Sequence, residues 1–317
     1  MRVVFLGTPT TAVPTLEALL DDGHDVARVL TQPDRPSGRS GRPQPSPVKQ
    51  IALARGLTVL QPARIRVPEV AAEIAATSPD ALVVVAYGRM LPRTLLDAAR
   101  HGAINVHFSL LPELRGAAPV QWALARGYDE TGVTTFRIDE GLDTGALLLQ
   151  EPVAVRPGEH APSLLARLAE TGARLLLATL AGLEAATIEP RPQAHARATQ
   201  APLLTREDGW WEAGWTAAVL EGRVRGFDPW PGVWALCGGT RMRIVGARAV
   251  TIGSALEESG TVIDLDGDSV RLACADGTLA AIESVQFEGR RAVTAREAWS
   301  GRQLAAGDRL GRIEPAA

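Results

Sequence analysis

The stretch from Ile104 to Pro119, INVHFSLLPELRGAAP, starts in an apolar run and places two polar side chains at its end. Asn105 and His107 are two residues apart, and side chains with that spacing on an extended chain point to the same side. A second segment, DEGLDTG, follows another apolar run and carries Asp143 in a turn. The amide could bind an oxyanion, the imidazole could transfer a proton, and the carboxylate could orient the imidazole. Together these groups suffice for acyl transfer without a metal.

Apolar runs elsewhere in the chain predict the sheet that holds this stretch. Arg2–Leu6 reads as a buried strand, Pro14–Leu20 as a helix and Asp25–Leu30 as a second strand, which is a βαβ opening. DALVVVA at Asp80–Ala86 is predicted to be a central strand. The pattern indicates an α/β fold with a doubly wound, Rossmann-like, mostly parallel sheet and ligand sites at the carboxyl ends of its strands. Gly7-Thr8-Pro9 lacks the dinucleotide-binding glycine pattern, which argues against a nicotinamide enzyme.

Each candidate residue taken singly has a plain structural explanation. A lone histidine is more often a satisfied structural residue, Asn105 could cap a turn, and Asp143 could be a surface turn residue. The combination is far more specific: N-x-H-x-S-L-L-P is followed by R-G-A-A-P, then T-G-V-T from Thr131 and L-D-T-G from Leu142. In this combination the chain resembles the formyltransferase superfamily that uses 10-formyltetrahydrofolate, and within it the methionyl-tRNA formyltransferases.

The composition is that of a soluble protein with room for two domains. The chain has 317 residues, of which 46% are hydrophobic and 22% charged, and its formal charge of -3 shows no global basic signature. Cys237 and Cys274 have no metal-ligand spacing, so we expect free buried thiols and no metal. The chain opens directly into a predicted strand, and no run is long enough to span a bilayer. We therefore expect a cytoplasmic protein without membrane contact. We also expect it to act as a monomer.

The segment QPDRPSGRSGRPQPSPVK, from Gln32 to Lys49, is too long for an ordinary connection between a strand and a helix. It could be a solvated flexible loop, or a mobile basic loop that contacts phosphates. Ser46 and Pro47 predict the start of the helix that follows. The resemblance implies that this loop grips the acceptor arm of tRNA, through Arg35, Arg39, Arg42 and Lys49.

The resemblance also implies where the folate co-substrate binds. In the formyltransferases the segment after the central strand lines the pterin pocket, largely through backbone groups, and Gly88 would allow close approach there. The implied folate-binding residues follow two neighbouring strands: Tyr87, Gly88, Arg89, Met90 and Leu91, and then Ser109, Leu110, Leu111 and Pro112. Arg89, Phe108 and Glu113 depart from the residues that relatives often carry. Ser109 is interpreted as a turn residue rather than a nucleophile, because formyl transfer needs none.

The sequence after the first domain changes character. A helix with a stripe of leucines is predicted near Pro162–Ala185, and it closes the first domain. The predicted domains are a Rossmann-like catalytic domain at 1–189, a linker at 190–204, and a tRNA-binding domain at 205–317. Short β-rich runs in the last domain predict a smaller OB-like β-barrel. Its segment FDPWPG, from Phe227, resembles the C-terminal domain of the methionyl-tRNA enzymes. Arginines that could contact tRNA there are Arg223, Arg225, Arg241 and Arg243.

The resemblance implies transfer of a formyl group from 10-formyltetrahydrofolate to the α-amine of methionyl initiator tRNA, with Asn105, His107 and Asp143 as the catalytic residues. Two alternatives remain open. The chain could formylate a small amine such as a glycinamide ribonucleotide or an amino sugar, against which the basic loop and the second domain argue. It could instead be a nucleic-acid-binding module with a decayed catalytic domain, against which the intact polar triad argues.

Overall fold

The computed structural model describes residues 1–36, 41, 43–250 and 255–312. The chain divides into two compact units. The first contains Met1–Pro119, Glu130–Ala154 and Leu165–Pro202. The second contains Val120–Asp129, Val155–Leu164 and the described part of the chain from Leu203 onward. No helix in the described ranges is both long enough and apolar enough to cross a membrane.

The first unit is built on a seven-stranded sheet. In chain order the elements up to residue 184 are β1 (Arg2–Gly7), α1 (Val13–Asp21), β2 (Asp25–Leu30), β3 (Arg35–Pro36), β4 (Pro43–Gln44), α2 (Pro47–Ala54), β5 (Val59–Leu60), α3 (Pro68–Ala76), β6 (Ala81–Val85), α4 (Arg93–Leu96), β7 (Ala103–His107), α5 (Pro119–Ala125), β8 (Glu130–Arg137), β9 (Leu147–Ala154) and α6 (Ala161–Glu184). Residues 120–125 of α5 and residues 161–164 of α6 belong to the second unit. The strand order is β5-β2-β1-β6-β7-β8-β9, while β3 and β4 form a separate two-stranded ribbon. Five adjacent strands, β5, β2, β1, β6 and β7, run parallel to one another. Strand β8 is antiparallel to β7, and β9 is antiparallel to β8. The predicted Rossmann-like, mostly parallel sheet is confirmed.

Helices cover both faces of this sheet, as its strands of unbroken apolar residues require. On one face, alternate side chains of β1 and β6 share a buried cluster with α3 and α4, which includes Val4, Leu82, Ile74 and Leu95. On the other face, α6 lies so close to β7 that a Cβ added to Gly172 would stand 2.7 Å from Val106 Cγ1. Residues that face α3 and α4 alternate along the strands with residues that face α6, because successive side chains of a strand point to opposite faces of the sheet.

Helix α4, which follows the Tyr87–Leu91 segment, is short. The helix contains only Arg93–Leu96. Beyond it, the backbone N–H groups of Arg100 and His101 donate to the carbonyls of Pro79 and Asp80 at 3.2 and 2.7 Å. Because these N–H groups are bonded to the loop before β6, they cannot donate to the carbonyls four residues earlier, as an α-helix requires. The helix therefore ends before this point.

The second unit contains an antiparallel sheet, most of α5 and two later helices. Its elements from Leu203 onward are α7 (Ala217–Gly226), β10 (Val233–Cys237), β11 (Thr240–Val250), β12 (Val262–Asp266), β13 (Ser269–Ala273), β14 (Leu279–Phe287), β15 (Val293–Thr294), α8 (Ala295–Ser300) and β16 (Leu310–Gly311). The order is β12-β13-β14-β11-β10-β16, with β15 also paired to β14. The predicted β-runs are present, whereas α7 and α8 were not predicted.

The two edges of this second sheet meet. Thr261, just before β12, bridges Arg309, just before β16. The N–H of Val262 donates to Asp308 O and that of Leu310 donates to Gly260 O, both at 2.8 Å. These bonds satisfy edge groups that would otherwise be unpaired. The sheet therefore curls back on itself as the small barrel predicted for this part of the chain.

Candidate functional site

Strand β7 brings Asn105 and His107 to the carboxyl end of the parallel sheet. Val84 pairs with Asn105 on one side, and Thr134 pairs with His107 on the other. His107 is buried and Asn105 is half-buried. Val84 belongs to the cluster shared with α3 and α4, so Asn105 and His107 both point to that face, as their spacing predicts. Within the described ranges, no group hydrogen-bonds to the Asn105 side chain, so its amide is available to a ligand.

Hydrogen bonding fixes the proton on His107. The ring Nε2 lies 3.0 Å from the carbonyl oxygen of Leu114, and a backbone carbonyl can only accept. Nε2 therefore carries the proton in the neutral ring, and the lone pair is on Nδ1. The ring also packs edge-on against Phe136, with its centroid 6.4 Å away. The nitrogen that can take up a proton is thus Nδ1.

Asp143 faces this same nitrogen. Its Oδ2 lies 3.8 Å from His107 Nδ1, which is ion-pair range but longer than a hydrogen bond, and its side chain is 14% exposed. Oδ2 also accepts the backbone N–H of Gly116 at 2.9 Å. Asp143 has a φ of 53°, in the left-handed region that aspartate tolerates better than most residues. The arrangement holds a carboxylate beside an imidazole that would become positive on taking a proton.

The first group of predicted folate-binding residues, Tyr87 to Leu91, follows β6, which is the neighbour of β7 in the sheet. Tyr87 is buried, and burial raises the pKa of its phenol, so that the ring is neutral at physiological pH. Its carbonyl accepts a bond from Gln32 Nε2 at 3.0 Å. Gly88 has a φ of 78°, and a Cβ there would meet nothing within 4 Å, so the backbone is open to approach.

Arg89 and Met90 line a cavity of about 420 Å³, together with Ala63, Arg64, Ile65 and Arg66. Arg89 Nη1 donates to the carbonyl of Ala63 at 2.7 Å, which anchors the guanidinium at the cavity wall. Met90 is exposed, whereas Leu91 is buried. Three of the six lining residues are arginines and none is acidic, whereas most of the surface that faces the cavity is apolar. The lining therefore suits a ligand that combines apolar surface with negative charge.

The second group, Ser109 to Pro112, forms a turn that the fold itself holds in place. Ser109 is fully buried, and its Oγ donates to Glu113 O at 2.6 Å, which fits a structural serine. Thr134 Oγ1 donates to Ser109 O at 2.7 Å and accepts the Leu111 N–H at 3.1 Å. Leu111 and Pro112 are buried and Leu110 is half-buried. The side chains of Leu111 and Pro112 therefore support the site from the interior.

Sequence comparisons identify the kind of protein to which this geometry belongs. The sequence model of the "Formyl transferase" family matches residues 1–180, and that of the "Formyl transferase, C-terminal domain" matches residues 203–303. A methionyl-tRNA formyltransferase of Acidobacterium capsulatum is 48% identical over 98% of this chain and 100% of its own length. One of Solibacter usitatus is 47% identical over 98% of this chain and 99% of its own. The chain belongs to the methionyl-tRNA formyltransferase family.

Solved structures show the same fold as this member of the formyltransferase family. An N-formyltransferase from Helicobacter canadensis, in complex with folinic acid and dTDP-3-aminofucose, superposes with a TM-score of 0.65 at 15% identity. The match covers 89% of this chain and 98% of that one. At this level of identity the likeness concerns the fold.

The basic segment of this formyltransferase is described only in part. Arg39 and Arg42 lie outside the described residues. Arg35 is exposed in β3, at the start of the ribbon. The helix start predicted at Ser46-Pro47 is present, since Ser46 Oγ accepts the Lys49 N–H at 3.2 Å. Lys49 donates from Nζ to Asp34 at 2.7 Å and to Gln61 at 2.6 Å, so its charge is already paired within the protein.

The arginines considered in the second unit are also engaged internally. Arg223 lies over the ring of Trp215 at 4.3 Å, and burial lowers its pKa. Arg243 pairs with Asp228 at 2.9 Å. Two others have weaker partners: Arg225 pairs with Glu221 at 3.6 Å, and Arg241 lies 5.2 Å from the ring of Trp210. Each of the four guanidinium groups thus has an acidic or aromatic partner within the second unit.

Sequence reasoning missed the backbone carbonyl that orients His107. Leu114 supplies it from a left-handed conformation, with φ of 59°. A leucine in that conformation gives no signal in the sequence. Over the ranges that the structure describes, no group of three histidine, cysteine or acidic side chains is placed to hold a metal ion.

Proposed function

We propose that this protein transfers the formyl group of 10-formyltetrahydrofolate to the α-amino group of methionine on the initiator tRNA, in the cytoplasm and as a monomer. The proposed catalytic residues are Asn105, His107 and Asp143. The observation that carries the proposal is that these three side chains lie together at the carboxyl end of β7, in a chain that belongs to this family. They combine an amide that is unbonded among the described residues with an imidazole that has its lone pair on Nδ1 and a carboxylate beside it.

The amine of methionine attacks the formyl carbon, and the carbonyl oxygen takes up negative charge. The Asn105 amide is a hydrogen-bond donor without an internal partner among the described residues, so it stabilises that oxyanion as it forms. His107 Nδ1 accepts the proton that the amine loses. The bond between the formyl carbon and N10 of the folate then breaks as His107 Nδ1 passes this proton to N10, so that tetrahydrofolate leaves and the imidazole returns to its neutral form.

Asp143 stabilises the imidazolium that this proton transfer produces. Its carboxylate lies 3.8 Å from Nδ1, and both side chains are largely shielded from water. The Leu114 carbonyl holds the opposite nitrogen, so the ring cannot turn its protonated edge toward the substrate. One neutral tautomer is therefore selected, in which Nδ1 is the nitrogen that exchanges protons with the substrates.

The cavity lined by Arg89 and Met90 supports the assignment of the folate segment. Tetrahydrofolate carries a glutamate tail whose carboxylates suit the arginines at the cavity wall, Arg64, Arg66 and Arg89. The bare backbone at Gly88 leaves room for the flat pterin ring. Tyr87–Leu91 are proposed to contact the folate directly, with Ser109–Pro112 shaping the pocket from behind.

The tRNA-binding role is proposed for Arg35, Arg39 and Arg42 of the basic segment. Lys49 is better suited to close the base of this segment than to bind a phosphate, because Asp34 and Gln61 already hold its ammonium group. The catalytic domain is proposed to span residues 1–189, with 190–204 as the connection and 205–317 as a domain that assists tRNA binding.

Formylation of purified methionyl initiator tRNA by 10-formyltetrahydrofolate tests the proposal. We expect N-formylmethionyl-tRNA, and no product with uncharged tRNA. Glycinamide ribonucleotide and a nucleotide-linked amino sugar serve as competing amine substrates. Preferential formylation of either small amine would overturn the tRNA assignment, and no turnover of any amine would overturn the enzymatic one.

A further inference from the structure

The segment from Gln193 to Ala201 lies between the two regions that match family models, which end at residue 180 and resume at residue 203. Sequence reasoning treats it as part of a linker. In the structure it lies along the loop that follows β7 in the first unit. The backbones of Arg115 and Gln200 form an isolated parallel β-bridge, and the Ala201 N–H donates to Arg115 O at 2.6 Å. A Cβ on Gly116 would collide with the carbonyl of Ala201, so the two backbones are in close contact.

Gln193 joins this segment to the Asp143 loop. Its Nε2 donates to the carbonyls of Asp143 and Gly145, both at 2.8 Å. Its Oε1 accepts from Nε and Nη2 of Arg115 at 3.1 and 2.6 Å. Because carbonyls only accept and a guanidinium only donates, the orientation of the amide is fixed and all four bonds are made. Gln193 is 5% exposed, so no water competes for these positions.

Thr199 joins the same segment to the carbonyl that holds His107. Its Oγ1 accepts the Leu114 N–H at 2.8 Å, and its backbone oxygen accepts the Arg115 N–H at 2.9 Å. These bonds fix the peptide on either side of Leu114 Cα, whose carbonyl accepts from His107 Nε2. Both groups that flank the imidazole therefore depend on one segment: Asp143 through Gln193, and Leu114 through Thr199.

We propose that Gln193 and Thr199 are positioning residues for the His107–Asp143 pair. Neither touches a reacting atom. Gln193 sets the distance of the carboxylate from Nδ1, and Thr199 keeps the proton on Nε2 by holding its acceptor in place. This inference rests on the proposed function for its kinetic consequence, but the predicted ring tautomer holds whatever the substrate.

Four variants separate these roles. Thr199→Val removes the hydroxyl at nearly constant volume, and Thr199→Ser restores it. Gln193→Glu keeps the acceptor for Arg115 but removes both donors to the Asp143 loop. Gln286→Glu, in the second unit, is the matched control for the change in charge. We expect Thr199→Val and Gln193→Glu to lower kcat on the order of 10- to 100-fold with KM for both substrates changed less than about twofold, because misplacement of a catalytic group by about 1 Å can cost 10²-fold. Thr199→Ser should recover most of the loss, and Gln286→Glu should match the parent.

Nitrogen-15 NMR of histidine-labelled protein provides a readout independent of turnover. The parent should show His107 as the Nε2–H tautomer, and Thr199→Val should admit the other tautomer whereas Thr199→Ser should not. If the parent fails to formylate methionyl-tRNA but shows this tautomer pattern, the proposed function fails and the positioning inference stands. Parental kcat and tautomer in both disruptive variants would overturn the inference. Loss of cooperative thermal unfolding in both would also overturn it, by assigning the segment to stability of the fold.

Discussion

Asp143→Asn is the change that tests the proposed chemistry most directly, because the structure predicts that it leaves the fold intact. The side-chain oxygen of the introduced asparagine can still accept the Gly116 N–H, which Asp143 Oδ2 now accepts at 2.9 Å. Asparagine also tolerates the left-handed φ of 53° at this position. Only the negative charge beside His107 is removed.

The expected magnitude follows from the distance between the two side chains. Opposite unit charges 3.8 Å apart, as Asp143 Oδ2 and His107 Nδ1 are, attract by about 4 kcal/mol at an effective dielectric constant of about 20. That attraction exists only once the imidazole has taken the proton, so it lowers the transition state and not the ground state. Since about 1.4 kcal/mol corresponds to a factor of ten in rate, kcat should fall by about 10³-fold at most.

Single-turnover formylation with saturating folate and charged tRNA measures this step, and thermal unfolding checks the fold. Asp139→Asn is the matched control, because Asp139 lies in the same turn and bonds to Gly141 and Thr144 rather than facing His107. We expect Asp139→Asn to retain the parental rate and Asp143→Asn to lose most of it, with little change in KM for either substrate. If the two variants lose activity equally, or if Asp143→Asn stays within about fivefold of the parent, the charge on Asp143 has no catalytic role.

Three further predictions concern recognition, packing and thiol reactivity. Replacing Arg39 and Arg42 by alanine should raise KM for charged tRNA and leave KM for folate unchanged. It should also lower the slope of log affinity against log salt by about one for each lost phosphate contact. An unaltered slope would show that the segment does not bind tRNA. Gly132→Ala should lower the free energy of unfolding by about 1–3 kcal/mol in denaturant titrations, since its Cβ would stand 2.5 Å from Leu110 Cδ2 and closer still to a backbone carbonyl. Gly214→Ala, where nothing lies within 4 Å, should change it far less. Burial raises the pKa of Cys274 to about 12, and the second cysteine is also buried, so both thiols should resist a disulfide reagent at pH 8 until denaturant unfolds the chain; labelling of the native protein at the rate of free thiol would contradict this.

The sequence by itself was informative wherever the controlling physics is local. The period of two along an extended chain assigns Asn105 and His107 to one face, and the register of β7 against β6 and β8 agrees with that assignment. Unbroken apolar runs identify the parallel strands, and the Ser-Pro pair identifies the start of α2. The order of the motifs also identified the family, because a family motif is defined by residue types at fixed spacings along the chain.

Only the tertiary structure decided what each polar group in the site bonds to. The tautomer of His107 depends on a carbonyl in a left-handed leucine, and Gln193 reaches the Asp143 loop from 50 residues away in the chain. Lys49 belongs by composition to a basic loop, yet it is paired with Asp34. Such bonds join residues that are far apart in the chain and form only after separate strands and loops have assembled. The local sequence around each partner therefore does not predict them. Local spacing therefore predicts which side chains share a face, whereas long-range packing determines which proton each of them can hold.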